Sequence, residues 1–335
     1  MIRPFHLRDA RTVARLQQVG ISLDVEEQLT HPRSLLRSVL IDTLLFAHVG
    51  STTFILDQRD EQGPLMGLAQ MRTRPGRPER DVVFVSPCLD MGNGSHAIWQ
   101  RLLTHLCIQT AERGNLRLYA GLPVASEELQ LFKNVGFVPY TQEEIYQLQP
   151  QGTPYVSEDE LTLRPQQASD GWGLQKLYST LTPRSVQNAE GLAQGQWALA
   201  HRRWGEQGRR YGYVWEVSGE LLGALYIRAG KRGYWLRTLL HPDALDQAEV
   251  LLKAALNLID NKKNLPIYFA FRQYEMGWPP ILTDLSFKPL TSRTLVVKPM
   301  TVRIREKSPI LMPALEKSPS EGAAATPAIT NSELL

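Results

Sequence analysis

Apolar positions between Ser95 and Leu106 are spaced as on one face of a helix. Ile98, Leu102 and Leu103 join Leu106 on that face at a period of 3.6 residues. The preceding segment VVFVSP is rich in β-branched residues and predicts a strand that ends at its proline. The pattern therefore predicts a strand, a turn containing Gly-Asn-Gly, and an amphipathic helix.

Four landmarks of the first half recur in the same order in the second half. The pairs are IRPFHLRDARTVARLQ and LRPQQASDGWGLQKLY, PLMGLAQMRTRP and ELLGALYIRAGK, VVFVSPCLD and YWLRTLLHPDA, and NVGFVPYTQEEIYQL and DLSFKPLTSRTLVV. Their separation drifts from 161 residues between Pro4 and Pro165 to 150 between Phe137 and Phe287, as changes in loop length would produce. Four matches in order indicate a duplicated domain.

The alternation of strands and helices in each half predicts an α/β fold, with a mixed sheet and helices on its faces. We expect a first domain at residues 1–148, a linker at 149–159 and a second domain at 160–303. The composition of residues 304–335, rich in Pro, Ser, Ala and Glu, predicts a disordered tail. Duplication further predicts two similar mixed sheets, one in each half.

Composition narrows the class of protein. The chain has 335 residues, of which 43% are hydrophobic and 21% charged, with a formal net charge of +3. Its basic residues are scattered, so no nucleic-acid partner is expected, and no apolar run is long enough for a membrane span. The sequence contains two cysteines and no apolar leader near its N-terminus, so a cytoplasmic protein is expected.

The Gly-Asn-Gly segment has two possible roles. A strand, a glycine turn and a helix start together can form a pyrophosphate site, because the helix N-terminus favours negative charge and glycine lets a ligand approach the backbone. Ordinary turns use the same residues. The turn alone leaves both interpretations open.

The context of the turn is more specific. The order of a strand with Val-x-Pro, Gly-x-Gly, a helix with paired leucines, a strand, a helix, Gly-Phe and a last strand resembles the GNAT superfamily of N-acetyltransferases. With its two halves, the chain is similar to a tandem GNAT protein whose second half is degenerate, over residues 1–148 and 160–300. The resemblance implies splayed central strands, and a loop of the form Arg/Gln-x-x-Gly-x-Gly/Ala whose amides hold the pyrophosphate of coenzyme A.

On this resemblance, the loop residues expected to bind acetyl-CoA are Met91, Gly92, Asn93, Gly94, Ser95 and His96. The position that is usually Arg or Gln is occupied by Leu89, with Asp90 beside it. In the second half the loop has no glycine, and Asp246 and Glu249 lie where the helix begins. Acidic residues there suit helix capping and would repel a phosphate, so the second loop is predicted to be structural.

The catalytic groups are not evident from the sequence. The family often places a tyrosine acid four residues before the glycine of Gly-Phe, where this chain has Phe132 and Leu282. The strand carboxylates Glu216 and Glu220 are candidate bases, although exposed strand charges are common. No catalytic residue is assigned, and no His or Cys spacing fits a metal site.

Two functions therefore stay open. The resemblance implies transfer of an acyl group from acetyl-CoA, or another acyl-CoA, to an amine that the sequence does not identify. The alternative is a non-catalytic GNAT-like module that binds CoA or a partner. Leu89, Phe132 and the altered second loop favour the module.

Overall fold

The computed structural model describes residues 1–44, 50–60, 63–74, 76–92, 94–149, 161–191, 209–259 and 264–300. The described residues belong to one compact unit, Met1–Val302. The predicted tail at 304–335, most of the predicted linker and Asn93 lie outside the described residues.

The first half contains seven strands and five helices within its described residues. The strands are β1 Ile2–Pro4, β2 Ile21–Ser22, β3 Ser51–Asp60, β4 Gly63–Thr73, β5 Glu79–Ser86, β6 Arg117–Pro123 and β7 Val138–Leu148. The helices are α1 Ala10–Gln18, α2 Val25–Thr30, α3 Leu35–Leu44, α4 Ser95–Glu112 and α5 Glu127–Asn134.

The second half repeats this order from β8 onward. Its described strands are β8 Leu163–Pro165, β9 Arg209–Val217, β10 Glu220–Ala229, β11 Tyr234–Leu240, β12 Ile267–Arg272 and β13 Lys288–Pro299. Its described helices are α6 Gly171–Leu181, α7 Arg184–Glu190, α8 Ala248–Asn257 and α9 Trp278–Asp284. The proposed division between the halves thus falls between β7 and β8.

All thirteen described strands form one sheet, so the prediction of two separate sheets is wrong. The order is β1-β3-β4-β5-β6-β13-β7-β12-β11-β10-β9-β8, with β2 paired to β5. A single sheet would by itself speak against two copies of one domain. This order, however, is symmetric about the β13–β7 pair, because every strand of the first half except β2 has its counterpart at the same distance in the second half.

The two halves are joined because they exchange their last strands. Strand β13 lies between β6 and β7, and β7 lies between β13 and β12, with antiparallel pairing in all three cases. The last strand of each half is therefore hydrogen-bonded to a central strand of the other half. Sequence periodicity could not show this exchange, because the same strand pattern fits either partner.

The predicted helix face is confirmed in α4. Ile98, Leu102, Leu103 and Leu106 are all at most 3% exposed and belong to one apolar cluster beneath the helix. Burying side chains of this size stabilises the fold by about 2 kcal/mol each. Helix α8 covers the equivalent cluster in the second half.

In both halves, a bidentate ion pair joins the first strand to the segment just before the first helix. Arg3 donates to both carboxylate oxygens of Asp9 at 2.6 and 2.7 Å, and Arg164 donates to those of Asp170 at 2.9 and 2.8 Å. In each case the aspartate also accepts a backbone N–H three residues upstream. The 161-residue spacing of both pairs reproduces the offset between the first repeat landmarks, which supports the duplication.

Each half also places a short helix on the other half's sheet. Leu29 of α2 packs against the cluster that contains Trp235 and Tyr268, and Glu26 forms an ion pair with Arg228 at 2.7 Å. These contacts connect the first half to β10, β11 and β12.

Helix α7 makes the reciprocal contact. The hydroxyl of Tyr119 on β6 donates to the carbonyl oxygen of Ala189 at 2.9 Å, and the guanidinium of Arg77 donates to the carbonyl oxygen of Glu190. The last carbonyls of a helix have no partner within it, so these side chains satisfy them. The end of α7 is thereby held by the first half.

An ion pair lies at the centre of the symmetric sheet. Glu143 of β7 and Arg293 of β13 are opposite each other in register, and Arg293 Nε donates to Glu143 Oε2 at 2.6 Å. They are 150 residues apart, the same offset as between Phe137 and Phe287. Glu143 and Arg293 are therefore equivalent positions of the two halves. Burial alone would raise the pKa of Glu143, but the charges of Arg293 and Arg272 lower it to about 2.

We predict that Glu143→Gln destabilises the protein by about 3–5 kcal/mol at pH 7, because it leaves buried arginine charge uncompensated. Since the folded-state pKa is lowered, the stabilisation is present above about pH 4.5 and is lost as the pH falls toward 2. Urea unfolding at several pH values should show that the free energy of unfolding of the variant changes less with pH between about 2 and 4.5 than that of the wild type. Glu144→Gln, at the half-buried neighbouring position, is the control, and equal losses in both variants would contradict the prediction.

Candidate functional site

The central strands of the first half separate where a ligand could enter. Parallel pairing between β5 and β6 runs from Glu79–Arg117 to Asp81–Tyr119 and stops, although β5 continues to Ser86. On the β5 side of this gap, β2 pairs with Phe84 and Val85, and the N–H of Leu23 donates to the carbonyl oxygen of Val83. Among the described residues, the backbone groups without a strand partner at the gap are therefore those of β6 beyond Tyr119. Buried backbone groups need partners, so such a gap suits a ligand with amide groups.

The turn between β5 and α4 has backbone angles that favour glycine at two positions. A short 3-10 turn, Leu89–Met91, is followed by Gly92 with a φ of 64° and a ψ of −143° and by Gly94 with a φ of 81°. No atom lies within 4 Å of the place where a Cβ on Gly92 would be. A side chain at either position would be strained, so glycine is required for this turn.

Part of the backbone in the turn is already hydrogen-bonded. The N–H of Gly92 donates to the carbonyl oxygen of Leu89 at 3.3 Å, and the N–H of Ser95 donates to the carbonyl oxygen of Gly92 at 3.0 Å. The first helical hydrogen bond runs from the N–H of Ile98 to the carbonyl oxygen of Gly94 at 3.0 Å. Within the described part of the chain, the N–H groups of Gly94 and His96 have no acceptor. The turn therefore offers fewer donors than its sequence predicts.

The side chains of the predicted loop point in different directions. Met91 is exposed, while Ser95 is buried and its hydroxyl donates to the carbonyl of Gly92 at 2.5 Å. His96 is exposed and lies 3.4 Å from the carboxylate of Glu127. Asn93 is outside the described residues, so five of the six predicted residues can be located.

Comparison with known proteins identifies the architecture. Neither a protein-family model nor a curated protein sequence matches the chain. A GCN5-related N-acetyltransferase from Sphaerobacter thermophilus is similar in structure, with 13% identity over 90% of this chain and 95% of that one and a TM-score of 0.54. A tandem GNAT protein from the clavulanic acid biosynthesis pathway has 15% identity over 90% and 98%, with a TM-score of 0.50. The chain has the tandem GNAT fold.

The GNAT turn in this chain has no arginine or lysine among its described residues. Leu89, at the position usually Arg or Gln in the family, is 4% exposed and belongs to the apolar cluster beneath α4. An anion bound there would therefore depend on backbone N–H groups and the dipole of α4. Asp90 is exposed, so water screens its charge.

The positions usually occupied by the tyrosine acid of the GNAT fold are closed to a ligand. Phe132 and Leu282 are fully buried, and the ring of Phe132 packs between Trp99 and Phe137 at centroid distances of 6.2 and 4.8 Å. The candidate bases Glu216 and Glu220 are instead paired with Arg164 and Lys176 on the surface. None of these residues lines the gap between β5 and β6.

The second GNAT half has the gap without the glycine turn. Strands β11 and β12 pair only from Tyr234–Ile267 to Leu236–Phe269. A 3-10 segment, Pro242–Gln247, leads directly into α8. It contains no glycine, and the exposed Asp246 and Glu249 lie at this end of the helix.

The structure adds a group that the sequence did not suggest, Tyr140 of β7. It lies at the irregularity of the β7–β13 ladder, between the residues paired with Leu295 and Val296, which on the other side of β13 pair with Gly121 and Ala120 of β6. Its ring lies 6.3 Å from that of Tyr119. Burial and the charge of Glu190 raise the pKa of the Tyr140 hydroxyl, so it stays protonated at neutral pH. Its contact with Tyr119 is made across β13, and no local motif could have indicated it.

No described helix has the length and apolar character needed to cross a lipid bilayer. Within the same ranges, no three His, Cys, Asp or Glu side chains are grouped so that they could hold a metal ion.

We predict that Phe132→Tyr destabilises the protein without creating a proton donor in the gap. The new hydroxyl would be buried without a partner among apolar side chains, which costs about 1–3 kcal/mol. Thermal unfolding measures the loss, and Phe132→Leu separates it from the loss of ring packing. A stability equal to that of the wild type would mean that the hydroxyl reaches water.

Proposed function

We propose that the first half binds acetyl-CoA, or another acyl-CoA, and transfers its acyl group to an amine. The observation that carries this proposal is the combination of a gap between β5 and β6 with a left-handed glycine turn at the start of α4. The bound thioester would supply the acyl group. The proposed contacts are those of Met91, Gly92, Asn93, Gly94, Ser95 and His96.

The backbone has the main role in the proposed binding. The N–H groups of Gly94 and His96 donate to the pyrophosphate, and the dipole of α4 adds to their attraction. The backbone groups of β6 beyond Tyr119, which have no strand partner on the side of β5, bond the amides of the pantetheine arm. The second half, which lacks the glycine turn, supports the first through β13 and α7.

Tyr140 is the proposed proton donor. Transfer of the acyl group leaves a thiolate that must receive a proton. In the described residues the Tyr140 hydroxyl makes no hydrogen bond, and its ring contacts Tyr119 of β6 on the side of the sheet opposite α4. It would then do what the buried Phe132 cannot.

We expect Gly94→Val to weaken acetyl-CoA binding at least tenfold, about 1.4 kcal/mol. The added side chain would strain a φ of 81° and approach Leu65 to 3.1 Å, displacing the N–H groups that start α4. Isothermal titration of wild type and variant measures the difference.

Gly114→Val is the matched control for this test. Gly114 has a φ of 70° at the other end of α4, with nothing within 4 Å of an added Cβ. Both variants should lose about 1–3 kcal/mol of stability through backbone strain, while only Gly94→Val loses affinity. Equal affinities for wild type and Gly94→Val would mean that the glycine turn connects β5 to α4 without binding acetyl-CoA.

The second candidate function is a non-catalytic module that binds acyl-CoA or a partner. The burial of Phe132 and Leu282, together with the absence of arginine and lysine from the described part of the turn, favours it. Such a module would be stabilised by acetyl-CoA, by about 1.4 kcal/mol at ten times the dissociation constant, without turnover.

An assay of thiol release with acetyl-CoA and a broad panel of amines separates the two functions. For an enzyme, Tyr140→Phe should lower kcat by on the order of 10²-fold while leaving acetyl-CoA affinity unchanged. Tyr146→Phe, on the same strand but packed against Phe271, is the control. Bound CoA with no turnover on any amine would support the module instead.

A further inference from the structure

The second half carries a polar pair where the first half does not. Tyr226 of β10 and Arg237 of β11 are opposite each other in register, on the face covered by α6. Counting from the matched glycines 67 and 223, the equivalent register pair of the first half is Gln70 and Phe84. The Gln70 amide donates to a threonine hydroxyl at 3.1 Å. The two halves therefore differ in chemistry at this position.

Arg237 is half-buried, with the carboxylates of Glu275, Glu143 and Glu190 in its surroundings. Among the described residues, its guanidinium makes no hydrogen bond and has no carboxylate oxygen within 4.0 Å. Three other arginines of this region form ion pairs of their own. Arg293 and Arg272 both pair with Glu143, and Arg228 pairs with Glu26. The guanidinium of Arg237 is therefore a half-buried positive group whose N–H donors have no acceptor among the described residues.

Two more polar atoms near Arg237 are buried and unpaired. The hydroxyl of Tyr226 has no hydrogen-bond partner, and neither has Oε1 of Glu275. The other carboxylate oxygen of Glu275 accepts the backbone N–H of Arg272 at 2.7 Å. Buried polar groups without partners are rare in folded proteins, and each costs stability. A ligand that bonds all three would remove this cost.

We propose that Tyr226 and Arg237 bind the carboxylate of a small ligand in the second half. A planar carboxylate accepts two parallel N–H bonds from one guanidinium and a third bond from the phenol. A phosphate dianion fits less well, because Glu275, Glu143 and Glu190 surround the arginine with negative charge.

The proposed site is separate from the glycine turn of the first half. Strands β6 and β11 are four steps apart in the sheet, about 19 Å at the spacing between neighbouring strands. Carboxylate binding at Arg237 therefore does not rest on the proposed acyl transfer, and each can fail without the other.

The test uses sodium acetate as the probe and the full-length protein. At constant ionic strength, acetate should raise the unfolding temperature more than chloride or phosphate does. Arg237→Gln should weaken acetate binding at least tenfold by isothermal titration. Arg209→Gln, which removes an exposed arginine from the neighbouring β9, should leave it unchanged.

Tyr226→Phe keeps the test valid if Arg237→Gln does not fold. Removing an unpaired buried hydroxyl should leave the ligand-free protein at least as stable as the wild type, yet weaken acetate binding several-fold. The same acetate affinity in both variants and in the wild type would overturn the proposal. So would an equal effect of acetate and chloride on the wild type.

The pH dependence provides a further test. Glu275 faces Arg237 of β11, Arg272 of β12 and Glu143 of β7, with Tyr274 beside it, and burial raises its pKa to about 7. Its protonation removes a negative charge and adds a donor, so acetate should bind several-fold more tightly at pH 6 than at pH 8. Glu275→Gln should abolish this difference, and tighter binding at the higher pH would contradict the site.

Discussion

The exchange of β7 and β13 is the constraint on which the rest of the structure depends. Each half needs the other's last strand to cover the edge of its own β6 or β12, and an uncovered edge would invite aggregation. At the centre of the exchange, Glu143 and Arg293 occupy the same position in their halves and pair with each other. Two identical copies would place like charges there. The ion pair therefore requires that the halves differ.

Once the halves differ at their shared centre, their clefts can differ as well. The first half keeps a glycine turn at the start of α4 and apolar or neutral groups at positions 70 and 84. The second half has no glycine before α8, and has Tyr226 and Arg237 at the matching positions. Both retain the gap between central strands, so the same backbone geometry serves two different chemistries. Helices α2 and α7, each held by the opposite half, couple the two.

Local patterns in the sequence predicted the local structure well. The period of Ile98, Leu102 and Leu106 gave the buried face of α4, and the turn before it has the left-handed glycines that such a segment requires. The alternation of strands and helices predicted a mixed α/β fold, and the repeat landmarks predicted two similar halves. These features depend on residues near one another in the chain, whose spacing fixes their geometry.

Features that depend on distant partners could not be predicted in this way. A strand pattern fixes which side chains face the core and leaves the neighbouring strand open, so the single sheet was not foreseen. For the same reason Tyr140, whose ring contacts Tyr119 across β13, and Arg293, which pairs with Glu143 of the other half, were missed. Phe132 was recognised as unable to donate a proton, but its burial between Trp99 and Phe137 needed the packed structure.

The absence of arginine and lysine from the described part of the glycine turn changes what its affinity can depend on. A guanidinium holds phosphate through a full charge on a flexible side chain, whereas backbone N–H groups act only while the helix start keeps its geometry. That geometry rests on Gly92 and Gly94 and on the packing of α4 against the sheet. The sheet in turn is closed by β13 from the second half. Recognition at the turn is thus tied, through α4 and the exchanged strand, to the integrity of both halves.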